Sequence, residues 1–215
     1  MRTTLALAGI LICNIINNDY KAQLEEYNKQ RLTMDKSLMI GLGTWSSINL
    51  LGSAIGWAVS KEESTKYFHQ MNVMWNTVNL GLSIPGYIKA HKGKNELSLF
   101  ETMKEQRKTE TIFLINAGID LAYISSGILL KNKSSTDLSK ENQLKGFGNS
   151  IILQGSFLLL FDWIAYSMHS RHFKNKLSPL LQRIHPSDNG IGFKFHLDQM
   201  GNSKLTTMAS SDNLN

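Results

Sequence analysis

Four windows of this chain, residues 38 to 60, 67 to 88, 111 to 130 and 146 to 170, contain only two formally charged residues, Asp120 and Asp162. A soluble helix of that length needs a solvated face and shows a charge every turn or two. Each window also has the roughly 20 residues that a helix needs to cross hydrocarbon. The pattern predicts an all-α fold, a four-helix transmembrane bundle built from two helical hairpins. Composition alone hides this, since 42% hydrophobic residues and a mean hydropathy of -0.19 would suit an ordinary soluble domain. A soluble four-helix bundle is the competing reading, because Asn, Ser and Thr are frequent in the windows; the cost of inserting charge into lipid favours the membrane.

The second window carries the clearest internal pattern. Its stretch Tyr67 to Gly86 has no Asp, Glu, Lys or Arg, yet His69, Asn72, Asn76, Asn79 and Ser83 follow one another by alternating steps of three and four. On a helix those steps gather all five side chains on one stripe, while Val73, Trp75, Val78, Leu80 and Leu82 cover much of the remainder. Lipid outside and other helices inside would suit such a segment.

The first window brings Gly52 and Gly56 in a small-xxx-small pattern, expected to let another helix approach closely. It also carries Asn49 near its middle, with Trp45 and Trp57 read as lipid-facing or interfacial aromatics. The short loop 61 to 66 forces an antiparallel hairpin. Pro85-Gly86 is expected to end or kink the second helix. The third window contains Asn116 and Asp120, and the fourth contains Gln154 and Asp162. INLLGSAIGW at 48 to 57 can be laid over IDLAYISSGI at 119 to 128, which hints at a duplication aligning Asn49 with Asp120.

Outside the windows the chain changes character. Residues 1 to 22 read as a signal peptide or a short hydrophobic N-terminal segment: Arg2, an apolar run, then polar residues. Residues 23 to 36 and a stretch near Leu97 to Met103 read as separate helices lying on the membrane surface. From 171 onward comes a basic polar tail, with one amphipathic strand over 191 to 197 and a disordered end. Lys and Arg are concentrated in 18 to 37, 89 to 110 and 171 to 183, which places both termini in the cytoplasm. A cleaved signal would put the new N-terminus outside, and the two readings conflict.

Helix rise gives depth. At about 1.5 Å per residue from the surface bearing loops 61 to 66 and 131 to 145, Asn49, Asn76, Asn79 and Asp120 all fall roughly 14 to 18 Å deep. Gln154 sits slightly shallower, and Asn116 and Asp162 deeper. An ionised carboxylate there costs at least ~2.5 kcal/mol. Asp120 is thus expected to accept hydrogen bonds from the amides of Asn49, Asn76 and Asn79, or to hold a proton. The whole set, Asn49, His69, Asn72, Asn76, Asn79, Asn116, Asp120, Gln154 and Asp162, reads as interhelical glue or as a ligand or proton site. Glue in this sense is worth ~0.6 kcal/mol per hydrogen bond.

No catalytic residue, metal ligand or cofactor is assigned. The chain lacks G-x-S-x-G, H-E-x-x-H, a Walker-type loop and a Rossmann glycine pattern in a strand context. One cysteine, Cys13, excludes an intramolecular disulfide within the chain. His69 and His169 fall at opposite surfaces and cannot share a haem. His91, His169 and His172 lie among Lys and Arg, which points to headgroup contact rather than a metal. The net charge of +6 reports basic loops and lipid before nucleic acid. The expected partner is the lipid bilayer, together with a small ligand or a membrane protein; a homo-oligomer is compatible, and nucleic acid is not.

The segments GTWSSINLLGSAIGW and KYFHQMNVMWNTVNLGL, with Gln154-Gly155-Ser156-Phe157-Leu158 through Phe161-Asp162, resemble an uncharacterised bacterial family of small multi-pass membrane proteins, a domain of unknown function. That family has an F-H-Q-M-N-x-x-W-N-x-V-N second helix and a Q-G-x-F-L-x-x-F-D fourth helix. The likeness covers about residues 27 to 170. It implies residence in the bacterial inner (cytoplasmic) membrane and brings no reaction or ligand with it.

Overall fold

The computed structural model of the chain describes residues 2 to 182, 184 to 187 and 190 to 193, with side chains from 18 to 182. The chain divides into two units at Phe173. The first holds four long helices: α1 (Arg2–Val59), α2 (Glu63–His91), α3 (Leu99–Ser134) and α4 (Glu141–His172). The second continues from a π-helical turn into a short α5 (Ser178–Gln182) and a hairpin of β1 (Ile184–Ser187) and β2 (Gly190–Phe193). Its register sets Ile184 opposite Phe193 and Ser187 opposite Gly190. The strand expected over 191 to 197 is therefore one arm of a hairpin as far as Phe193; residues 194 to 197 and the expected disordered end lie outside the described residues.

The helices run further than the charge-free windows. Residues 23 to 36 are not a separate surface helix; they are the middle of one uninterrupted α1. No Gly or Pro interrupts that stretch, so nothing in the backbone stops the helix where the charges begin. The N-terminal hydrophobic segment is the start of the same rod. The stretch near Leu97 to Met103 likewise opens α3, through a capping box. The Ser98 hydroxyl accepts from the Glu101 N–H at 3.3 Å, and the Ser98 N–H donates to the Glu101 carboxylate at 2.9 Å. α2 passes through Pro85 and ends only at His91, so the expected break does not occur.

Three helices, α1, α3 and α4, are long and apolar enough to cross a membrane. α2 falls short of that measure because His69, Gln70 and three Asn residues interrupt its apolar run. α1 packs on α2, α3 on α4, and α2 on α4. These are the two hairpins, joined along α2 and α4. α2 and α3 lack comparable backbone packing, and a cavity separates them.

The first unit is inside out by the standard of a water-soluble protein. Ile48, Leu51 and Ile55 are each 66% exposed, and Val78, Leu82, Leu129, Leu160 and Trp163 also face outward. Asn76, Gln106, Gln154 and His169 have no exposed surface. An apolar surface this continuous is not stable in water, whereas lipid solvates it without cost. Outward-facing hydroxyls agree with this: Thr77, Ser125 and Ser126 each donate to the carbonyl four residues back in their own helix, at 2.7 to 2.8 Å. They need no water.

Glycines decide how closely the helices meet. A Cβ on Gly127 would lie 2.8 Å from the Gly148 carbonyl oxygen, and one on Gly148 would lie 2.7 Å from that of Gly127. Further along, Gly155 fits against the backbone of Asp120 and Ile124. The seam of α4 is Gly148, Gly155, Asp162 and His169; that of α3 is Gln106, Phe113, Asp120, Gly127 and Ser134. Both repeat every seven residues, the spacing of a left-handed antiparallel pair. By contrast, Gly52 of the expected small-xxx-small pattern has open space beside it, and Gly56 accommodates the His69 ring.

Candidate functional site

The Asn stripe of α2 is buried, with Asn72, Asn76, Asn79 and Ser83 all nearly closed to solvent. Asn72 is its hub. Its amide NH2 donates to Ser53 Oγ at 2.5 Å and to Asn49 Oδ1 at 3.3 Å. Its Oδ1 accepts from the Asn76 amide at 3.3 Å and, from the other side of the bundle, from the Gln154 amide. Asn76 also donates to the Asn72 carbonyl at 2.8 Å. Gln154 Oε1 accepts from the Trp45 indole at 3.2 Å, and that indole stacks on Phe157 with centroids 3.9 Å apart. Trp45 is thus an interior residue rather than a lipid-facing one. α1, α2 and α4 meet in this cluster.

Asp120 belongs to a second cluster. The amides of Asn49 and Asn76 are spent in the first, so they do not serve as its donors, contrary to the sequence expectation. Helix rise put these residues at one level, but level says nothing about direction around the bundle. The Asp120 side chain instead interacts with Asp162 across the α3 and α4 seam, and Asp162 interacts with Asn116. The close backbone contact at Gly155 brings the two carboxyl groups together. Asp120 Oδ2 and Asn79 Nδ2 are buried and make no hydrogen bond.

Both of those atoms belong to residues that line the cavity between α2 and α3, which measures about 800 Å³. Its inner end is Asn79, Asn116, Asp120 and Asp162. Beyond them Trp75 and Tyr123 meet edge to face, with centroids 4.7 Å apart, and bridge α2 to α3. Its walls include Val78, Leu82, Ile112, Ile119 and Phe161. At the opposite end stand Arg31, Asp35, Lys89, Lys94 and Glu105. His69 joins neither cluster; it packs over Gly56 and meets Phe68 edge to face.

A third polar cluster, absent from the sequence expectations, ties α1, α3 and α4 together where the charged segments begin. The Tyr27 hydroxyl donates to Gln106 Oε1 at 2.6 Å, and Gln106 donates to the His169 carbonyl at 3.0 Å. Asn28 donates to Thr102 Oγ1 at 2.8 Å. Asp35 lies between Arg31, at 3.5 Å, and His169 Nε2, at 3.1 Å. His172 stacks on Tyr27, with centroids 4.3 Å apart. His169 and His172 are therefore interior packing residues and not headgroup contacts. The sequence does contain a signal: Leu24, Tyr27, Asn28, Arg31 and Asp35 share one helical stripe by steps of three and four. Among the described residues no three His, Cys, Asp or Glu side chains converge as a metal site would require.

These features define a class: an all-α bundle with helices fit to span a membrane, a hydrogen-bonded interior and one interhelical cavity with acids at its inner end. The chain belongs to the family described as Family of unknown function (DUF6992), whose model matches residues 41–163. The match takes in the Asn72 hub and the Asp120 and Asp162 pair; Tyr27, Asp35 and His169 of the third cluster lie beyond it. No curated protein and no solved structure matches the chain.

Proposed function

We propose that this chain is a multi-pass protein of the bacterial cytoplasmic membrane, in which α2 also crosses the bilayer, and that it binds a small ligand in the cavity between α2 and α3. The observation that carries the reading is the pair of unpartnered polar atoms, Asp120 Oδ2 and Asn79 Nδ2, on side chains that line that cavity. Buried polar groups without partners cost ~1 to 3 kcal/mol each. Glue would have joined them to the hub, as it joined Asn72 to Gln154; a ligand explains why they were left apart. A volume of about 800 Å³ is in the range of small-molecule sites, roughly 300 to 1,000 Å³. Basic residues at 18 to 37, 89 to 110 and 171 to 183 support an orientation with both termini in the cytoplasm.

Native mass spectrometry of the detergent-purified chain tests this. A bound small molecule is expected, reduced in occupancy by Asn79→Leu. A ligand-free spectrum for protein extracted in mild detergent counts against the binding role, and a folded chain that stays in the supernatant without detergent removes the membrane assignment.

A second reading is proton or ion handling. It is favoured by the facing carboxyl groups of Asp120 and Asp162 at the end of a cavity that reaches from the charged mouth to mid-helix. Such intramembrane acids mark proton and ion pathways. Proton flux in liposomes containing the purified chain, compared with Asp120→Asn, separates this role from ligand binding alone.

A further inference from the structure

We infer that the ligand is an uncharged, chain-like lipid whose polar end is a hydroxyl, and that it enters sideways from the bilayer between α2 and α3. The inference rests on the binding role proposed for the cavity and adds the chemistry of its occupant.

The polar end follows from the two unpartnered atoms. Asn79 Nδ2 can only donate, and Asp120 Oδ2 is there to accept. A hydroxyl does both at once, accepting from the amide and donating to the carboxyl. A carboxylate ligand would bring a third acid group to Asp120 and Asp162, and like charges repel. An ammonium would suit Asp120 but leave the Asn79 donor without an acceptor. A plain hydrocarbon would satisfy neither. The far end of the cavity does not select a charge either, because Arg31, Lys89 and Lys94 stand there with Asp35 and Glu105. Arg31 is already held by Asp35.

The shape follows from the walls. Lining residues on α3 extend from Glu105 to Tyr123, about 27 Å along the helix. That is the span of a single extended chain and not of a compact solute. Val78 and Leu82 on α2, both 61% exposed, and Ile112 and Ile119 on α3, at 45% and 44%, line the cavity while also facing outward. The slot therefore opens along its side, onto the surface that lipid would cover. The Trp75 and Tyr123 rings bound it beside the acids.

The test uses the full chain in phosphatidylcholine nanodiscs with a trace of hexadecanol carrying a mid-chain diazirine. After photolysis, labelled residues are mapped by mass spectrometry. Labelling is expected to concentrate on 75 to 86 and 109 to 123, and excess hexadecanol should suppress it far better than equal amounts of palmitate, hexadecylamine or hexadecane. Asn79→Leu and Asp120→Leu should each weaken labelling about fivefold or more, the effect of one lost hydrogen bond to a buried partner. Asp120→Asn, which keeps an acceptor oxygen, should retain it. If the cavity walls are labelled but hexadecane or palmitate competes as well as hexadecanol, the hydroxyl assignment is wrong while the binding role stands. If those walls are labelled no more than Ile48, Leu51 and Leu160, both fail. The competition series uses the unmodified chain, so a variant that does not fold cannot obscure the result.

Discussion

The Oδ1 of Asp35 on α1 lies 3.1 Å from the Nε2 of His169 on α4, a side chain with no exposed surface. Arg31, one turn before Asp35 and 4% exposed, approaches the same carboxylate. Three polar side chains of this size are buried together only where each answers another. The contact fixes the ends of α1 and α4 to each other at the level where α3, through Gln106, also joins them.

His169→Leu should therefore destabilise the bundle by ~1 to 3 kcal/mol, since it strands a carboxylate that has lost one of two partners. For a chain of this size each kcal/mol corresponds to roughly 2 to 4 °C in Tm. Thermal unfolding in detergent checks this. The double variant His169→Leu, Asp35→Leu should recover part of the loss, and a fully additive loss would show that the two residues do not act together.

Asn72 should be the most costly amide to remove. Its side chain serves Ser53, Asn49, Asn76 and Gln154 at once, so Asn72→Leu is expected to cost ~2 to 3 kcal/mol, against less than ~1 kcal/mol for Asn49→Ala. Unfolding in mixed micelles with rising SDS ranks the two. Equal losses would remove Asn72 from its position as hub.

Glycine substitutions separate the packing that matters from the motif that does not. Gly148→Ala places a methyl 2.7 Å from the Gly127 carbonyl oxygen, a backbone atom that cannot swing away, and ~1 to 3 kcal/mol of destabilisation is expected. Gly52→Ala meets nothing within 4 Å and should be neutral or stabilising by up to ~1 kcal/mol through helix propensity. Comparing the two melting temperatures decides between them; a larger effect at Gly52 would mean that the α3 and α4 seam is not where the backbones touch.

Asp120→Asn replaces one of two facing acids by an amide that can donate to Asp162. Stability in nanodiscs should be unchanged or higher by ~1 kcal/mol, because one potential charge leaves the membrane interior. If the chain moves protons, flux in liposomes falls to background in the same variant. A marked loss of stability would show instead that the Asp120 carboxylate is required by the fold.

Much of this was legible in the residues, and the limits have physical causes. Charge depletion identified the apolar rods, and steps of three and four on α2 identified the buried face that carries Asn72, Asn76, Asn79 and Ser83. Depth from helix rise correctly grouped Gln154 apart from Asn116 and Asp162, yet it could not tell which residues faced each other, since rise along an axis carries no azimuth. That is why Asn49 and Asn76 were expected at Asp120 and are found at Asn72. The charged segments around Arg31 and Thr102 were read as surface helices because charge reports what surrounds a helix, not where it stops. The seven-residue spacing of Gly148, Gly155, Asp162 and His169 was present in the sequence and would have located the α3 and α4 seam; attention to α2 alone passed over it.

The hydrogen-bonded interior has a consequence for how such a chain can fail. When a soluble protein loses its solvent shell, its oily centre still holds. Here, stripping the bilayer would expose Ile48 and Val78 to water and at the same moment offer Asn72 and Gln154 a competing suitor for every amide. Both changes push toward collapse into aggregates, so the molecule has no fallback medium: detergent must mimic the acyl chains closely enough to keep water out of the gap beside α2, or the rods come apart from within.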